Sequence, residues 1–380
     1  MMNMKKPIKI LFLIPNLGHG GAEKVLVNLV NHMNKNEFEI TIMALYDDNG
    51  INKESLSPNV SYKACLKKSF PGVGHILKIF SPKFLYSCLI KESFDIVVSY
   101  LEGQTARIIS GCNDSKAKKV CWIHKTMSGM KDATSMFRNQ KEAETAYSSF
   151  DKIVSVSKDV QETFMNLFHI NHKGVVIYNT NQSELILKMS QQSIENEFFL
   201  NNEFKICGMG SLIPVKGFDR LLRVHYKLKQ SGFPIHTYIL GEGPEKENLE
   251  KLIKTYNLVD SVSLLGYQKN PYKYLKKCDL FVCSSLSEGL STAVTEALIV
   301  GIPVCSVKVS GMQELLGENS EYGLIVDNNE KALFGGIKQF ITSSTFLNNY
   351  RIRAYERGKM FNTLNTVSSV ENLFQELILK

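Results

Sequence analysis

Apolar positions in this chain come in short β-branched runs separated by amphipathic stretches. Runs at Ile8–Ile14, 39–45, 95–99, 119–123, 152–156 and 175–178 predict strands, and the spacing at 22–34 and 159–168 predicts helices between them. Strands alternating with helices predict a parallel, doubly wound sheet with both faces covered. The pattern lapses from 179 to 203 into Asn, Gln, Ser and Glu. It resumes at Phe204–Met209, 238–240, 261–264, Leu280–Cys283, Val304–Val307 and Leu324–Val326. From Ala332 onward only helical periodicity remains. The expected organisation is an α/β domain over 1–180, a polar linker at 181–203, a second α/β domain over 204–358, and a helix at 359–380 that can pack back on the first domain. In such sheets ligands bind beyond the carboxyl ends of the strands, so the loops there carry the chemistry.

Composition narrows the classes. A chain of 380 residues is too long for one ordinary core. With 44% hydrophobic and 22% charged residues it reads as a globular protein without low-complexity segments. No apolar run reaches the ~18–20 residues of a membrane-spanning helix. Ile8–Ile14 runs into Pro15-Asn16 with no small-residue cleavage site, so it reads as a first strand and not a signal peptide. The eight cysteines are scattered singly without zinc spacing, which reads as buried, reduced thiols of a cytosolic protein. A net charge of +8 is compatible with an anionic partner without choosing one.

Three loops stand out. Pro15-Asn16-Leu17-Gly18-His19-Gly20-Gly21-Ala22-Glu23-Lys24 follows the first strand and lacks the GxGxxG spacing of a dinucleotide site. Its glycines allow either a tight turn or close approach of an anion to a helix start. In the second, Gly208-Met209-Gly210-Ser211 leads to Lys216-Gly217, a lysine able to neutralise phosphate as a point charge. In the third, a strand leads into Glu288-Gly289-Leu290-Ser291-Thr292, with Glu296 on the helix that follows. Eight positions correspond to at most ~12 Å of helical rise, which suits contacts at two ends of an elongated ligand with diphosphate between them.

In this order, Gly-Gly-Ala-Glu-Lys, Lys216-Gly217, Gly241-Glu242-Gly243-Pro244 and the Glu288 to Glu296 element resemble the retaining transferases of glycosyltransferase family 4 over nearly the whole chain. The resemblance implies the GT-B fold, two Rossmann-like doubly wound domains facing a central cleft. It implies transfer of a hexosyl or N-acetylhexosaminyl group from a nucleotide sugar, with uridine the expected base. By matching positions, Glu296 would hold the ribose and Glu288 the donor sugar. Lys216 and the amides near Gly289, Leu290, Ser291 and Thr292 would bind the diphosphate, with Gly20, Gly21 and Ser211 lining the donor site. His124, at a strand end, matches a histidine near the transferred sugar. Glu314 and Tyr267 are lesser candidates on neighbouring loops. Ser211 stands where the family often has arginine, so either donor binding is weaker or another cation, such as Lys24, contributes. No DxD motif in a metal-binding context occurs, Asp47-Asp48 reading as a polar turn, so no metal or other cofactor is expected.

Between 61 and 90 lie Lys63, Lys67, Lys68, Lys78 and Lys83 with Phe70, Phe80, Phe84 and Tyr86, and no Asp or Glu. This suits either an anionic membrane surface or an ordinary solvated helix over a few core aromatics. The aromatic and basic residues match no RNA-binding motif, so nucleic acid is not an expected partner. Relatives of this kind extend lipid-linked saccharides in bacterial surface glycan synthesis, which implies a cytoplasmic protein, peripheral on the inner face of the cell membrane. Two other readings stay open: a non-catalytic GT-B partner of another transferase, and an epimerase or phosphorylase on the same fold.

Overall fold

Two all-parallel sheets organise the residues that the computed structural model describes, namely 6–18, 20–47, 50–67, 72–194 and 203–379. The first contains β1 (Ile8–Ile14), β2 (Phe38–Tyr46), β3 (Ser61–Leu66), β4 (Ile96–Ser99), β5 (Lys118–Ile123), β6 (Lys152–Ser155) and β7 (Gly174–Val176), in the order β3-β2-β1-β4-β5-β6-β7. The second contains β8 (Phe204–Met209), β9 (Ile235–Leu240), β10 (Val262–Gly266), β11 (Leu280–Cys283), β12 (Val304–Val307) and β13 (Leu324–Val326), in the order β10-β9-β8-β11-β12-β13. In each sheet the winding reverses beside the first strand, between β1 and β4 and between β8 and β11. Those are the points where crevices open at the carboxyl ends, and the loops at 15–18, 100–103, 210–216 and 284–291 border them.

The central strands are continuous apolar runs because helices cover both faces. Ile10 to Ile14 of β1 are fully buried. β3 is the exception and was not among the expected strands. As an edge strand it is largely exposed and carries Lys63, so its periodicity is that of a polar segment. The basic stretch at 61–90 is thus β3 followed by helices Val73–Ile79 and Pro82–Leu89, while Lys68 and Phe70 lie outside the described residues, as does Asp48.

The chain divides into two units, Met1–Thr180 with Thr363–Lys380, and Asn181–Asn362. The helix Thr363–Leu379 belongs to the first. Its buried Phe374 packs against Phe12, Phe38 and Trp122 at ring distances of 6.0, 6.5 and 6.4 Å, and Glu371 accepts the main-chain N–H of Asn34 at 2.6 Å. Full burial of one such ring contributes roughly 1.5–3 kcal/mol. The stretch read as a polar linker differs from that expectation. Ser183–Ser190 is a helix of the second unit, its Ile186 is buried, and its Met189 carbonyl accepts the side-chain amide of Asn270 at 2.9 Å. Residues 195–202 lie outside the described set.

Candidate active site

In the second unit the loops after β8 and β11 are locked together by backbone and side chain. After β8 the chain passes a 3-10 turn, Pro214–Lys216, and then Gly217 at φ 62°. A Cβ at Gly217 would lie 2.3 Å from the Ser284 carbonyl oxygen, so only glycine permits this approach of the two loops. Ser284 Oγ donates to the Lys216 carbonyl at 3.0 Å, and the Leu286 N–H donates to the Val215 carbonyl at 2.7 Å. From helix Phe218–Gln230 the buried Arg220 reaches the same place, donating to the Ser284 and Ser285 carbonyls at 2.5 and 2.9 Å and to Asn328 Oδ1 at 2.7 Å. Arg220 is thus committed to holding the loop. Gly241 and Gly243 have the same logic: a Cβ on either would strike the Gly210 or Leu212 carbonyl oxygen, at 1.9 and 2.4 Å. The Gly-Glu-Gly-Pro segment therefore clamps the loop that carries Ser211.

That scaffold brings Lys216 to Glu288. The ammonium lies 2.7 and 3.0 Å from the two carboxylate oxygens, and Ser285 Oγ donates to one of them at 2.6 Å. Glu288 therefore sits in the loop before the helix, which begins only at Thr292. The helical-rise estimate of its separation from Glu296 does not describe it. Ser291 caps helix Thr292–Val300, its hydroxyl accepting the Val294 N–H at 3.4 Å, so the positive end of that helix lies beside the Lys216–Glu288 pair. A small cavity is lined by Lys216, Ser285, Glu288 and Ser291. Glu296 is 4% exposed and accepts the Tyr272 hydroxyl at 2.9 Å. Tyr272 was not anticipated from sequence, and nothing in the spacing of a short helix 24 positions earlier would have paired the two. Tyr267 is 48% exposed, and the Glu314 carbonyl accepts from Arg357 within the same unit.

The first unit has its own set of polar residues at the carboxyl ends of β1, β4 and β5. His124 follows β5, and its Nε2 is buried without a hydrogen-bond partner. Burial holds its pKa down to about 3, so the imidazole is neutral at physiological pH. The His124 main-chain N–H donates to Glu102 Oε2 at 2.9 Å. The Tyr100 ring lies 4.9 Å from that of His124. Burial raises the Glu102 carboxyl above its ordinary range, while the His124 N–H lowers it. Glu23, in the first turn of helix Gly21–His32, is also raised by burial. Its carboxyl folds back over Gly20, where a Cβ would be 2.0 Å from Glu23 Oε2. Gly20 and Gly21 therefore open the helix with an acid placed over the turn, and His19 lies outside the described residues. Sequence reading missed Glu102. Its signal was present, an acidic residue just beyond a buried strand in Ser99-Tyr100-Leu101-Glu102-Gly103.

Each unit is a parallel α/β sheet with polar loops at its own switch point, and the second carries a lysine, a capped helix start and two glutamates. Two family models match the chain: "Glycosyl transferases group 1" matches residues 189–357 and "Glycosyltransferase Family 4" matches residues 19–180. The chain belongs to this family of GT-B glycosyltransferases. It is 29% identical over 372 residues to the N-acetylgalactosamine-N,N'-diacetylbacillosaminyl-diphospho-undecaprenol 4-alpha-N-acetylgalactosaminyltransferase of Campylobacter jejuni, covering 93% of this chain and 95% of that one. Among solved structures it resembles Anabaena HepE in complex with UDP, with TM-score 0.75, 16% identity, and 98% and 100% of the two chains covered. It also resembles the sucrose-phosphate synthase of Thermosynechococcus elongatus, with TM-score 0.78, 16% identity, and 98% and 99% covered. Among the described residues, no helix is long and apolar enough to cross a membrane.

Proposed function

We propose that this glycosyltransferase moves a hexosyl or N-acetylhexosaminyl group, with retention of configuration, from a UDP-sugar to a lipid-linked saccharide during bacterial surface glycan synthesis. The observation that carries the reading is the Lys216–Glu288 pair beside the capped start of helix Thr292–Val300, with the buried Glu296 farther along that helix. Lys216 and the helix amides, with Gly289, Leu290, Ser291 and Thr292, would stabilise the departing diphosphate as the bond between anomeric carbon and phosphate oxygen breaks. Glu288 would orient the donor sugar and Glu296 would hold the ribose. Neutral His124 would hydrogen-bond a hydroxyl of the transferred sugar through Nε2. Gly20, Gly21 and Ser211 would line the donor's path. The new bond forms between the anomeric carbon and an acceptor hydroxyl oxygen on the same face, its proton passing to the departing diphosphate oxygen, with no covalent enzyme intermediate and no metal.

The lipid-linked acceptor is supported by the Campylobacter relative, whose name specifies a diphospho-undecaprenol substrate. UDP is supported by its presence in the Anabaena HepE structure. A cytoplasmic protein, peripheral on the inner leaflet, accords with that acceptor. A panel of nucleotide sugars, each scored for nucleotide release with and without undecaprenyl-diphosphate saccharides, tests the reading. Acceptor-stimulated release from one UDP-sugar with an α-linked product is expected. Release from none, or a product of inverted configuration, overturns it.

A further inference from the structure

Gln104 opens helix Gln104–Ile109, two residues past Glu102 in the loop after β4. Its side-chain carbonyl, Oε1, accepts the hydroxyl of Tyr46 at 3.1 Å, and Tyr46 is itself buried at the end of β2. The amide nitrogen, Nε2, is buried without a hydrogen-bond partner. His124 Nε2, just past β5, and Ser155 Oγ, at the end of β6, are in the same condition. Ser155 lies in register with Ile123, the residue before His124. Buried polar groups in native proteins are nearly always paired, because burial has cost them their water. Unpaired ones at the carboxyl ends of parallel strands, where ligands bind, are placed for a partner that the chain does not supply.

The chemistry of that partner follows from what Gln104 has left to offer. Tyr46 engages the carbonyl, which leaves the N–H groups as donors in a fixed direction. The complementary group accepts without donating: a carbonyl, carboxylate or phosphate oxygen. Acids at the same strand ends decide among these. The carboxyl groups of Glu102 and Glu23 are both raised by burial, and an anionic ligand group would raise them further at its own expense. A neutral carbonyl oxygen remains. Apolar surface borders the turn as well. Gly103 has φ 84°, and a Cβ there would lie 3.2 Å from Met136 Cγ, so Met136 rests on the glycine while staying 44% exposed. An amide donor next to an exposed thioether matches a group with a carbonyl oxygen at one end and a methyl at the other.

We propose that Gln104 selects the acceptor: Nε2 donates to the carbonyl oxygen of an acetamido group on the acceptor's terminal sugar, with the methyl of that group against Met136. The inference rests on the proposed transfer to a saccharide and names the class of sugar that receives the new bond. A sugar with a hydroxyl in place of the acetamido is too short to reach Nε2 and leaves the buried amide unpaired, which is how a site built to hydrogen-bond rejects an analogue. Tyr46 is a positioning residue that acts through Gln104. The turn is the one that carries Glu102, which accepts the His124 main-chain N–H, so the acceptor's acetamido group and the proposed sugar contact share one scaffold within the first unit.

Saturation-transfer NMR on the full chain tests binding without turnover, with the methyl glycosides of N-acetylglucosamine and N-acetylgalactosamine as probes beside those of glucose and galactose. The acetamido methyl should receive the strongest saturation. Gln104→Glu keeps the shape and an oxygen for Tyr46 but loses the donor, so the effect should vanish in it. No acetamido contact in the parent, or an unchanged one in Gln104→Glu, overturns the proposal. Transfer to sugars linked to farnesyl diphosphate supplies the kinetic arm. Gln104→Ala should raise the KM for the acetamido acceptor at least ~10-fold, leave the donor KM unchanged, and move the KM for the hydroxyl analogue less than ~2-fold. Tyr46→Phe frees the amide to turn and should show part of the same selective loss. Equal losses on both acceptors would report a structural role and overturn selection, as would a parent that uses both acceptors equally well. If transfer proceeds without preference, the acetamido site fails and the proposed function stands. If the parent transfers to neither sugar while the acetamido methyl is saturated, the proposed function fails and the site stands.

Discussion

Lys216 Nζ lies within hydrogen-bonding distance of both carboxylate oxygens of Glu288, at 2.7 and 3.0 Å, so the cation proposed for the donor's diphosphate is already neutralised by the carboxylate proposed for its sugar. Diphosphate must compete with Glu288 for this ammonium. Lys216→Ala is expected to weaken UDP binding by about 1.5–3 kcal/mol, and to weaken UMP binding less. Glu288→Gln removes the competing charge, so free UDP should bind as well as or up to ~10-fold more tightly, while kcat falls substantially. Calorimetry on the two variants, with steady-state kinetics, checks the pair. Loss of UDP affinity in Glu288→Gln would mean that the carboxylate supports the diphosphate site and does not compete with it.

Glu296 is held from the side by Tyr272, whose hydroxyl donates to it at 2.9 Å. A ribose contact exists in both ground and transition states, so Glu296→Gln should raise the donor KM and weaken UDP, UMP and uridine alike. Tyr272→Phe leaves the carboxylate in place without this hydrogen bond, and about 0.5–1.5 kcal/mol of nucleotide affinity should go with it. A kcat defect with unchanged nucleotide affinity in either variant would remove Glu296 from the ribose.

On the proposed reading, Lys216 and a helix start supply the charge stabilisation that a divalent ion would otherwise give. Chelator should therefore leave the transfer rate essentially intact. Restoration of a chelator-inactivated enzyme by magnesium or manganese would contradict this.

Acid sensitivity should have a source outside the site. His225 is fully buried, with Nδ1 2.8 Å from Thr237 Oγ1 and Nε2 3.0 Å from Ser261 Oγ, and burial lowers its pKa to about 3. With the folded pKa below the unfolded value of ~6.5, the unfolded chain takes up the proton first. The stabilising contribution is therefore complete above pH ~6.5 and is lost as pH falls towards about 3. At pH 5 the loss is about 2 kcal/mol. His225→Asn should be less stable at pH 8, yet lose about 2 kcal/mol less than the parent between pH 8 and pH 5. Equal acid dependence of the two, measured by denaturant unfolding, would show that another group governs it. Glu23 and Glu102, with raised pKa values, act in the opposite direction and cancel in the comparison.

The parts of the fold legible in the sequence are those where burial and periodicity coincide. β1, β8, β11 and β12 are short apolar runs because helices cover both faces, and their bounds match the expectation. β3 was illegible because an edge strand facing water has the composition of a loop. The helix Ser183–Ser190 was hidden by its polar surroundings, since Ile186 alone of its apolar residues is buried. At the candidate site, the loop positions of Lys216, Glu288 and Ser291 were legible because glycines and strand ends mark them, and the structure brings these three together. Arg220, which holds the Ser284–Ser285 loop, and Tyr272, which donates to Glu296, were not. Those contacts join residues that only the winding of the sheet brings together, as Arg220 with Ser284 across 64 positions.

Glu102 is a positioning residue for His124, and its role can be separated from mere stability. Its Oε2 accepts the main-chain N–H of His124 at 2.9 Å, which fixes where the imidazole emerges from β5. The ring is left neutral with Nε2 unpaired, so it is ready to take a substrate hydroxyl as its partner. The amide oxygen of glutamine can accept the same N–H, so Glu102→Gln should keep most of the activity. Glu102→Ala cannot, and kcat should fall at least ~10-fold while UDP affinity, proposed to rest mainly on Lys216 and Glu296, stays nearly unchanged. The effects of Glu102→Ala and His124→Ala should be strongly non-additive, because the first acts through the second. Thermal melts identify any variant that is simply unfolded. If Glu102→Gln is as damaged as Glu102→Ala, the charge and not the hydrogen bond is what His124 requires. If the double variant shows fully additive losses, Glu102 acts on something other than His124.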